Sequence, residues 1–256
     1  MKFKTIFRKN IFDLNEIAEL RSFLKKKSNL FNIDLDISKF EQNDYLPKHM
    51  FSKKLLDFLK ENLQDELFFI QNFVIQKNNR TFNKEKYHKD SGKAHQSDIL
   101  SKKENIYGKI GIPLQDNIKD VGGGIDYLKP MFLDNFKDKN QIINKIRALY
   151  YILQDKFTDT QLYSKAGDVI YFSALLSHRT TLTNKLKVNS IDDKYVIYFQ
   201  LTNLNTIKDV LRITRNKKNI SSEDINKELI TKDFNGNKIK ILNNNLSQEV
   251  GNYIGL

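Results

Sequence analysis

GDVIYFSALLSHRTTLTN, at residues 167–184, is the stretch that indicates the fold most directly. It opens with a Gly-Asp turn, continues through β-branched and aromatic residues, and reaches His178 before a polar tail. This composition predicts a buried strand that runs to His178. Strand candidates of the same kind are LFFIQNFVIQK (67–77), YGKIGIPL (107–114), GIDYLK (124–129) and KYVIYFQLTNL (194–204). Short strands separated by turn residues, without regularly alternating helices, predict an antiparallel sandwich or barrel.

Helical patterns flank these strands. Leu14, Ile17, Leu20 and Leu24 recur at helical spacing behind Asp13, a suitable N-cap, and a second helix is predicted near 52–64. A further helix is expected near 142–153, and SSEDINKEL (221–229) has a helix-start pattern. The rest of the chain after residue 205 is polar and is expected to form peripheral turns and a tail. These patterns predict one domain, 1–256, with a helical part at 1–65, the β core at 66–204 and a peripheral part at 205–256.

The composition excludes several classes of site. The chain has no cysteine, so disulfides, thiolate metal sites and cysteine nucleophiles are excluded, and any metal must bind through His, Asp or Glu. No stretch approaches the roughly 20 apolar residues of a membrane span, and the N-terminus lacks the apolar run of a secretory signal. A cytoplasmic protein is therefore the expectation.

The chain is basic, with a formal net charge of +12 from 43 basic and 31 acidic residues. The charge is spread along the chain, and aromatic residues are not interleaved with the lysine runs. A basic nucleic-acid-associated protein is therefore the weaker interpretation, and a solvated, lysine-rich surface the stronger one. The charge is also compatible with an anionic substrate.

His88 and Asp90 form a candidate metal-binding pair. They lie two residues apart in YHKDSG, and on an extended strand such residues point to the same face. An H-x-D triplet taken alone is weak, because a surface turn with a local hydrogen bond gives the same pattern. His178, at the end of its predicted strand, would complete a set of two histidines and one carboxylate. This is the ligand set of non-haem iron(II) oxygenases, which leaves coordination positions open for other ligands. The alternative for His178 is a structural histidine at a strand end.

Four segments, in order, carry a family resemblance. They are FVIQKNN (73–79), YHKDSG (87–92), GGGIDYLKP (122–130) and the stretch at 167–184. Together they resemble the phytanoyl-CoA dioxygenase family over residues 66–204. The resemblance implies a double-stranded β-helix (jelly roll) that is mainly β with flanking helices. It also implies iron(II) bound by His88, Asp90 and His178, with 2-oxoglutarate and dioxygen as co-substrates.

The chain departs from the family pattern at the residues that bind the co-substrate. Pro130 is followed by MFLDN, and the family's arginine after the distal histidine is missing from its usual offset. Lys194 occupies the matching strand start and is expected to pair with the far carboxylate of 2-oxoglutarate, which needs a cation in a dry pocket. Arg179 is the rival cation, although it should point to the side of the strand opposite His178. Thr180 and Lys77 match family positions that contact the co-substrate, with exposed polar residues as the alternative.

The resemblance implies an iron(II)- and 2-oxoglutarate-dependent dioxygenase. It would hydroxylate or oxidise a small-molecule substrate, with release of succinate and carbon dioxide. The alternative is a non-catalytic jelly-roll binding module. The loops at 91–106 and 131–145 are expected to shape the substrate pocket, and their lysines favour an anionic substrate. The sequence leaves the substrate and the oligomeric state open.

Overall fold

The computed structural model describes residues 6–27, 32–42, 44–77, 85–90, 99–100, 102–117, 124–129, 141–157, 161–183 and 194–254. The helices in these ranges are α1 (Leu14–Lys27), α2 (Tyr45–Met50), α3 (Lys53–Leu63), α4 (Gln141–Phe157), α5 (Leu204–Thr214), α6 (Ser222–Asn226) and α7 (Asn244–Ile254), with a 3-10 turn at Ile37–Lys39. The strands are β1 (Ile6–Asn10), β2 (Asn32–Asp36), β3 (Leu67–Lys77), β4 (Tyr107–Pro113), β5 (Ile125–Tyr127), β6 (Gln161–Leu162), β7 (Asp168–Ser173), β8 (His178–Thr180), β9 (Tyr195–Asn203), β10 (Leu229–Phe234) and β11 (Asn237–Leu242).

The described strands form two sheets. The main sheet has the order β1-β7-β4-β9-β3-β11-β10, and β2 also pairs with β3. Its neighbours are antiparallel except β11, which runs parallel to β3. The second sheet has the order β6-β5-β8 and is antiparallel. Ile170 and Phe172 of the main sheet share one apolar cluster with Ile125 and Tyr127 of the second sheet, so the two sheets face each other. The protein is a jelly roll with flanking helices, which confirms the predicted fold class.

The outer face of the main sheet is covered by the N-terminal helices. Leu20 and Leu24 of α1 and Leu55 and Leu59 of α3 are almost fully buried against it, in the largest apolar cluster. The side chain of Asp13 caps α1 by accepting hydrogen bonds from the backbone N–H groups of Asn15 and Glu16, both at 2.9 Å. Both N-terminal helices are therefore confirmed, and their burial leaves the inner face of the sheet for the site.

The strand predicted to run from Asp168 to His178 is two strands. β7 ends at Ser173, where the N–H of Leu176 donates to the carbonyl of Ser173 in a turn. The chain then crosses to the second sheet, and His178 begins β8. The prediction of one strand was wrong because an uninterrupted apolar run hides a turn whose residues, Ala174 to Leu176, are themselves buried.

The ends of the chain contribute more sheet than their composition suggested. At the N-terminal end, β1 pairs with β7 and β2 pairs with β3. At the C-terminal end, the polar part after residue 205 forms α5, α6, the β10–β11 hairpin and α7, rather than peripheral turns and a tail. α5 and α7 bury Val210, Leu211, Val250 and Ile254 in a second apolar cluster. Polar residues alternate with apolar ones along the hairpin, so the composition of this part of the chain does not show that it has an apolar core.

No helix in the described part of the chain combines the length and apolar character needed to cross a membrane.

Candidate metal centre

His88 and His178 lie opposite each other on neighbouring backbone segments. The N–H of His88 donates to the carbonyl of His178 at 2.9 Å, and the N–H of His178 donates back to the carbonyl of His88 at 2.8 Å. Their ring centroids are 4.6 Å apart. This antiparallel bridge adds the His88 segment to the second sheet beside β8. The jelly-roll pairing therefore brings together two histidines that are far apart in the sequence.

Asp90 completes the cluster. Its Oδ1 lies 3.7 Å from Nε2 of His178. One ligand atom from each of His88, Asp90 and His178 lies within 4.8 Å of the others, a spacing that suits a single metal ion. His178 is buried, Asp90 is half-buried and His88 is exposed, so the cluster opens to solvent on one side. The three residues singled out from the sequence thus form one His-Asp-His site.

The environment of His178 favours a neutral imidazole. Burial lowers its pKa below the ordinary value of 6.5, against the opposing effect of the Asp90 carboxylate. Its Nδ1 lies 3.0 Å from the carbonyl oxygen of Leu176. Because a carbonyl only accepts hydrogen bonds, Nδ1 is assigned the proton, and Nε2 keeps its lone pair on the side of Asp90. A neutral nitrogen with a fixed orientation is what a metal ligand requires.

The donor set of the cluster fits a divalent transition metal. Oδ2 of Asp90 is buried and accepts no hydrogen bond of good geometry, although it lies 3.2 Å from Nζ of Lys109. A buried carboxylate oxygen with incomplete hydrogen bonding is costly unless a cation compensates it, and the Lys109 ammonium does so for Oδ2. Oδ1 is the oxygen that faces the cluster. Two imidazoles and one carboxylate on one side of an ion suit iron(II) and leave its other positions open.

The space behind the cluster, between the two sheets, is lined by large polar and aromatic side chains of the main sheet. The hydroxyl of Tyr107 donates to Oε1 of Gln200 at 2.9 Å. Burial, and then the negative charge of Asp90, raise the pKa of both Tyr107 and Tyr198. Both phenols are therefore neutral and close enough to Asp90 to sense its charge.

Lys109 is the charged residue of this interior that the sequence analysis did not single out. It lies on β4, with its ammonium 5.9 Å from the ring centroids of both Phe172 and Tyr198. The signal for it is present in YGKIGIPL, because a lysine between glycine and isoleucine in an otherwise apolar strand is unusual.

Arg179 lies on the opposite face of β8 from His178, as the alternation of strand residues predicts. Its Nε lies 3.1 Å from Asp126 and its Nη2 2.8 Å from Asp155 of α4. Its guanidinium also stacks 4.1 Å from the ring centroid of Tyr87, the residue before His88. Arg179 therefore ties together the two metal-site segments and α4, and its charge is engaged by two carboxylates outside the interior.

The other predicted residues have different outcomes. Thr180 lies on β8 two residues after His178 and pairs with Ile125, which faces the interior. Lys194 is buried just before β9 begins. The backbone of Lys77 pairs with Tyr195, but its side chain lies outside the described residues. Much of the two predicted substrate loops, including 91–98 and 131–140, also lies outside the described residues. Lys102, from the first loop, pairs with Asp209 at 2.6 Å.

The chain is similar in fold to HygX from Streptomyces hygroscopicus. The iron-bound structure of HygX aligns with a TM-score of 0.53 and 14% identity, covering 79% of this chain and 83% of HygX. The structure with nickel and 2-oxoglutarate gives 0.52 and 14%, covering 79% and 84%. The structure that also contains hygromycin B gives 0.50 and 15%, with the same coverage. No protein-family model matches the chain, and no curated protein sequence matches it. At this identity the similarity establishes the jelly-roll fold.

Proposed function

We propose that the protein is an iron(II)- and 2-oxoglutarate-dependent oxygenase in which His88, Asp90 and His178 bind the metal. The observation that carries this proposal is the convergence of these three ligand atoms within 4.8 Å at the edge of the space between the sheets. HygX, which has the same fold, binds iron in one crystal structure and nickel with 2-oxoglutarate in another.

The three residues of the cluster and the aromatic rings beside them have different roles in this function. Asp90 supplies the negative charge, and His88 and His178 supply neutral nitrogens, so the set neutralises half of the charge of a divalent ion. The coordination positions that these three residues leave open are available to 2-oxoglutarate, while the buried rings of Phe172 and Tyr107 exclude water from the interior beside the cluster. Iron, when bound, supplies the reaction of dioxygen with 2-oxoglutarate that yields succinate, carbon dioxide and the oxidant for the substrate.

We further propose that the chain is a relative of the phytanoyl-CoA dioxygenase family. The order of the segments supports this, because β3, the His88 segment, β5 and β8 occur in the sequence as the resemblance requires. The resemblance assigns co-substrate contacts to Lys194, Thr180 and Lys77. The position of Thr180 beside Ile125 on the interior face supports its assignment. The co-substrate contacts of Lys194 and Lys77 stay predictions.

The proposed substrate is a small molecule. HygX holds hygromycin B together with nickel and 2-oxoglutarate in one structure, which supports a small-molecule substrate for this fold. The basic composition favours an anionic one.

The test is formation of succinate from 2-oxoglutarate by protein loaded with iron(II) under anaerobic conditions and then exposed to air. Asp90→Ala should lose both iron binding and succinate formation. Asp57→Ala, which removes an exposed carboxylate of α3 paired with Lys53, is the matched control and should retain both. Because turnover without the true substrate is slow, binding of iron and 2-oxoglutarate is measured beside it by calorimetry. Wild-type protein that binds neither would contradict the proposal and favour the non-catalytic module.

A further inference from the structure

We propose that Lys109 is the cation that binds the far carboxylate of the 2-oxo acid, and that it thereby selects 2-oxoglutarate over 2-oxo acids that lack this group. This inference rests on the proposed function, because it concerns the same metal site. It replaces Lys194, the lysine expected from the sequence just before β9, with a lysine on β4, a strand that the family resemblance did not point to.

Lys109 lies where a ligand of the metal would extend into the interior. Its Nζ is 3.2 Å from Oδ2 of Asp90, while Oδ1 of the same carboxylate faces His178 at 3.7 Å. Oδ1 of Asp90 therefore faces the metal cluster, whereas Oδ2 faces Lys109. The ammonium is next to the cluster, on its interior side, and its side chain is 26% exposed.

The walls around Lys109 strengthen its attraction for an anion. The rings of Phe172 and Tyr198 flank its ammonium at 5.9 Å each and limit its contact with water. Charges interact more strongly where the surroundings are less polar than bulk water, and the aromatic faces themselves favour a cation at this position. A carboxylate entering between the sheets would thus meet a fixed and partly desolvated positive charge.

The charge of the site favours a dianion once the metal is bound. Asp90 can then share its negative charge with the metal through Oδ1, and Lys109 is left beside a divalent cation. The formal charges of the ion, Asp90 and Lys109 leave two positive charges. 2-Oxoglutarate carries two negative charges, one at each end, and would neutralise the site. A 2-oxo acid with one carboxylate would leave the ammonium uncompensated.

The rival cations are less well placed. Arg179 faces away from the interior and is engaged by Asp126 and Asp155. Lys194 lies six residues before Gln200, and Gln200 pairs with Lys109 across the sheet. At about 3.3 Å per residue, Lys194 is roughly 20 Å along β9 from the level of Lys109. The backbone of Lys194 is therefore much farther along the sheet from the level of Asp90 than that of Lys109, whose ammonium contacts Asp90.

The experiment measures binding without turnover. Calorimetry on protein loaded with redox-inert nickel(II) gives three dissociation constants, for the metal, for 2-oxoglutarate and for 2-oxopentanoate, which forms the same chelate but lacks the far carboxylate. Lys109→Met keeps the aliphatic stem without the charge, and Lys109→Arg keeps the charge. Lys240→Met, which removes a main-sheet lysine paired with Glu66, is the control. Urea unfolding verifies that each variant is folded.

We expect wild type and Lys240→Met to prefer 2-oxoglutarate. Lys109→Met should weaken 2-oxoglutarate binding by about 10- to 100-fold, the range for losing a charge-assisted hydrogen bond. Its affinity for 2-oxopentanoate should stay within about threefold of wild type. Lys109→Arg should recover part of the preference.

Two results would overturn the inference while leaving the proposed function standing. One is an unchanged preference in Lys109→Met together with its loss in Lys194→Met. The other is an equal loss of affinity for both acids in Lys109→Met, since this would mean that the lysine acts only by orienting Asp90. Wild-type protein that binds nickel but neither acid, or no nickel, would instead overturn the proposed function and this inference with it.

Discussion

His88 and His178 exchange both of their backbone hydrogen bonds, so their imidazoles start from directly opposed positions of adjacent strands. Strand pairing therefore sets the separation of the two backbones from which the imidazoles extend. In an antiparallel bridge the paired residues place their side chains on the same face, a few ångströms apart. Backbone pairing alone therefore brings the two imidazoles close together, as the proposed metal site requires.

Removing one imidazole should abolish metal binding without unfolding the protein. His178→Ala deletes a ligand whose Nε2 faces Asp90, and we expect iron(II) affinity to fall by more than about 100-fold, since loss of an outer partner alone costs 10–100-fold. The affinity is measured by anaerobic calorimetry. His49→Ala is the matched histidine control, because His49 packs on Tyr45 at 4.6 Å on α2. Equal loss of affinity in both variants would refute the assignment.

Arg179 should stabilise both the fold and the site. Arg179→Met leaves Asp126 without its guanidinium partner in a buried position, and breaking such a pair costs about 3–5 kcal/mol. Urea unfolding gives the loss of free energy, and calorimetry should show weaker metal binding by about 10-fold, because the contact with Tyr87 is also lost.

Arg212→Met is the comparison for this variant. Arg212 is about half exposed and pairs with Asp209, so its removal should cost only about 0–1 kcal/mol. A loss of stability in Arg179→Met no larger than that in Arg212→Met would contradict the structural role of Arg179.

The metal-free protein should lose stability as pH falls through the range where an ordinary imidazole titrates. The pKa of His178 is lowered below 6.5 by burial, so between the two values the unfolded chain binds a proton that the folded protein does not. The free energy of unfolding therefore rises with pH in this window, by at most about 1.4 kcal/mol per unit, and is lost on acidification.

His178→Gln removes this proton-binding group from both states. With a chelator present, urea unfolding between about pH 7.5 and 5.5 should show a shallower pH dependence for the variant than for wild type. Identical slopes would mean that His178 does not titrate differently in the folded protein.

A methyl group added at Gly111 should disturb the interior. The new Cβ would lie 2.9 Å from Cε1 of Tyr198, so the phenol ring must shift. Overpacking of this kind costs about 1–3 kcal/mol. Because Tyr198 flanks Lys109, we expect Gly111→Ala to weaken 2-oxoglutarate binding as well as stability.

Gly108→Ala is the matched control. Its Cβ would collide with the ring of Tyr171, which belongs to the apolar cluster under the N-terminal helices. It should reduce the urea midpoint while the folded protein keeps its affinity for 2-oxoglutarate. If the Gly111 variant kept full affinity, Tyr198 would not border the binding space.

The sequence by itself determined three central strands and the two short motifs. Runs of β-branched and aromatic residues locate β3, β4 and β9, because a strand that is buried on both faces has an almost continuous apolar sequence. The spacing of His88 and Asp90 was also visible, since alternation along a strand fixes which residues share a face. His178 was visible at the end of an apolar run, although it begins a strand and does not end one.

Tertiary structure alone decided where the chain turns between the sheets and which cation lies beside Asp90. The break after Ser173 is hidden within an apolar run, and the pairing of β11 with β3 depends on residues far apart in the chain. Lys109 is visible in the sequence as an unusual lysine in an apolar strand, but its position next to Asp90 arises only when β4 packs beneath the His88 segment. Local sequence patterns indicate which residues are buried and which share a face. The contact between Lys109 and Asp90 depends instead on the pairing of strands that are far apart in the sequence.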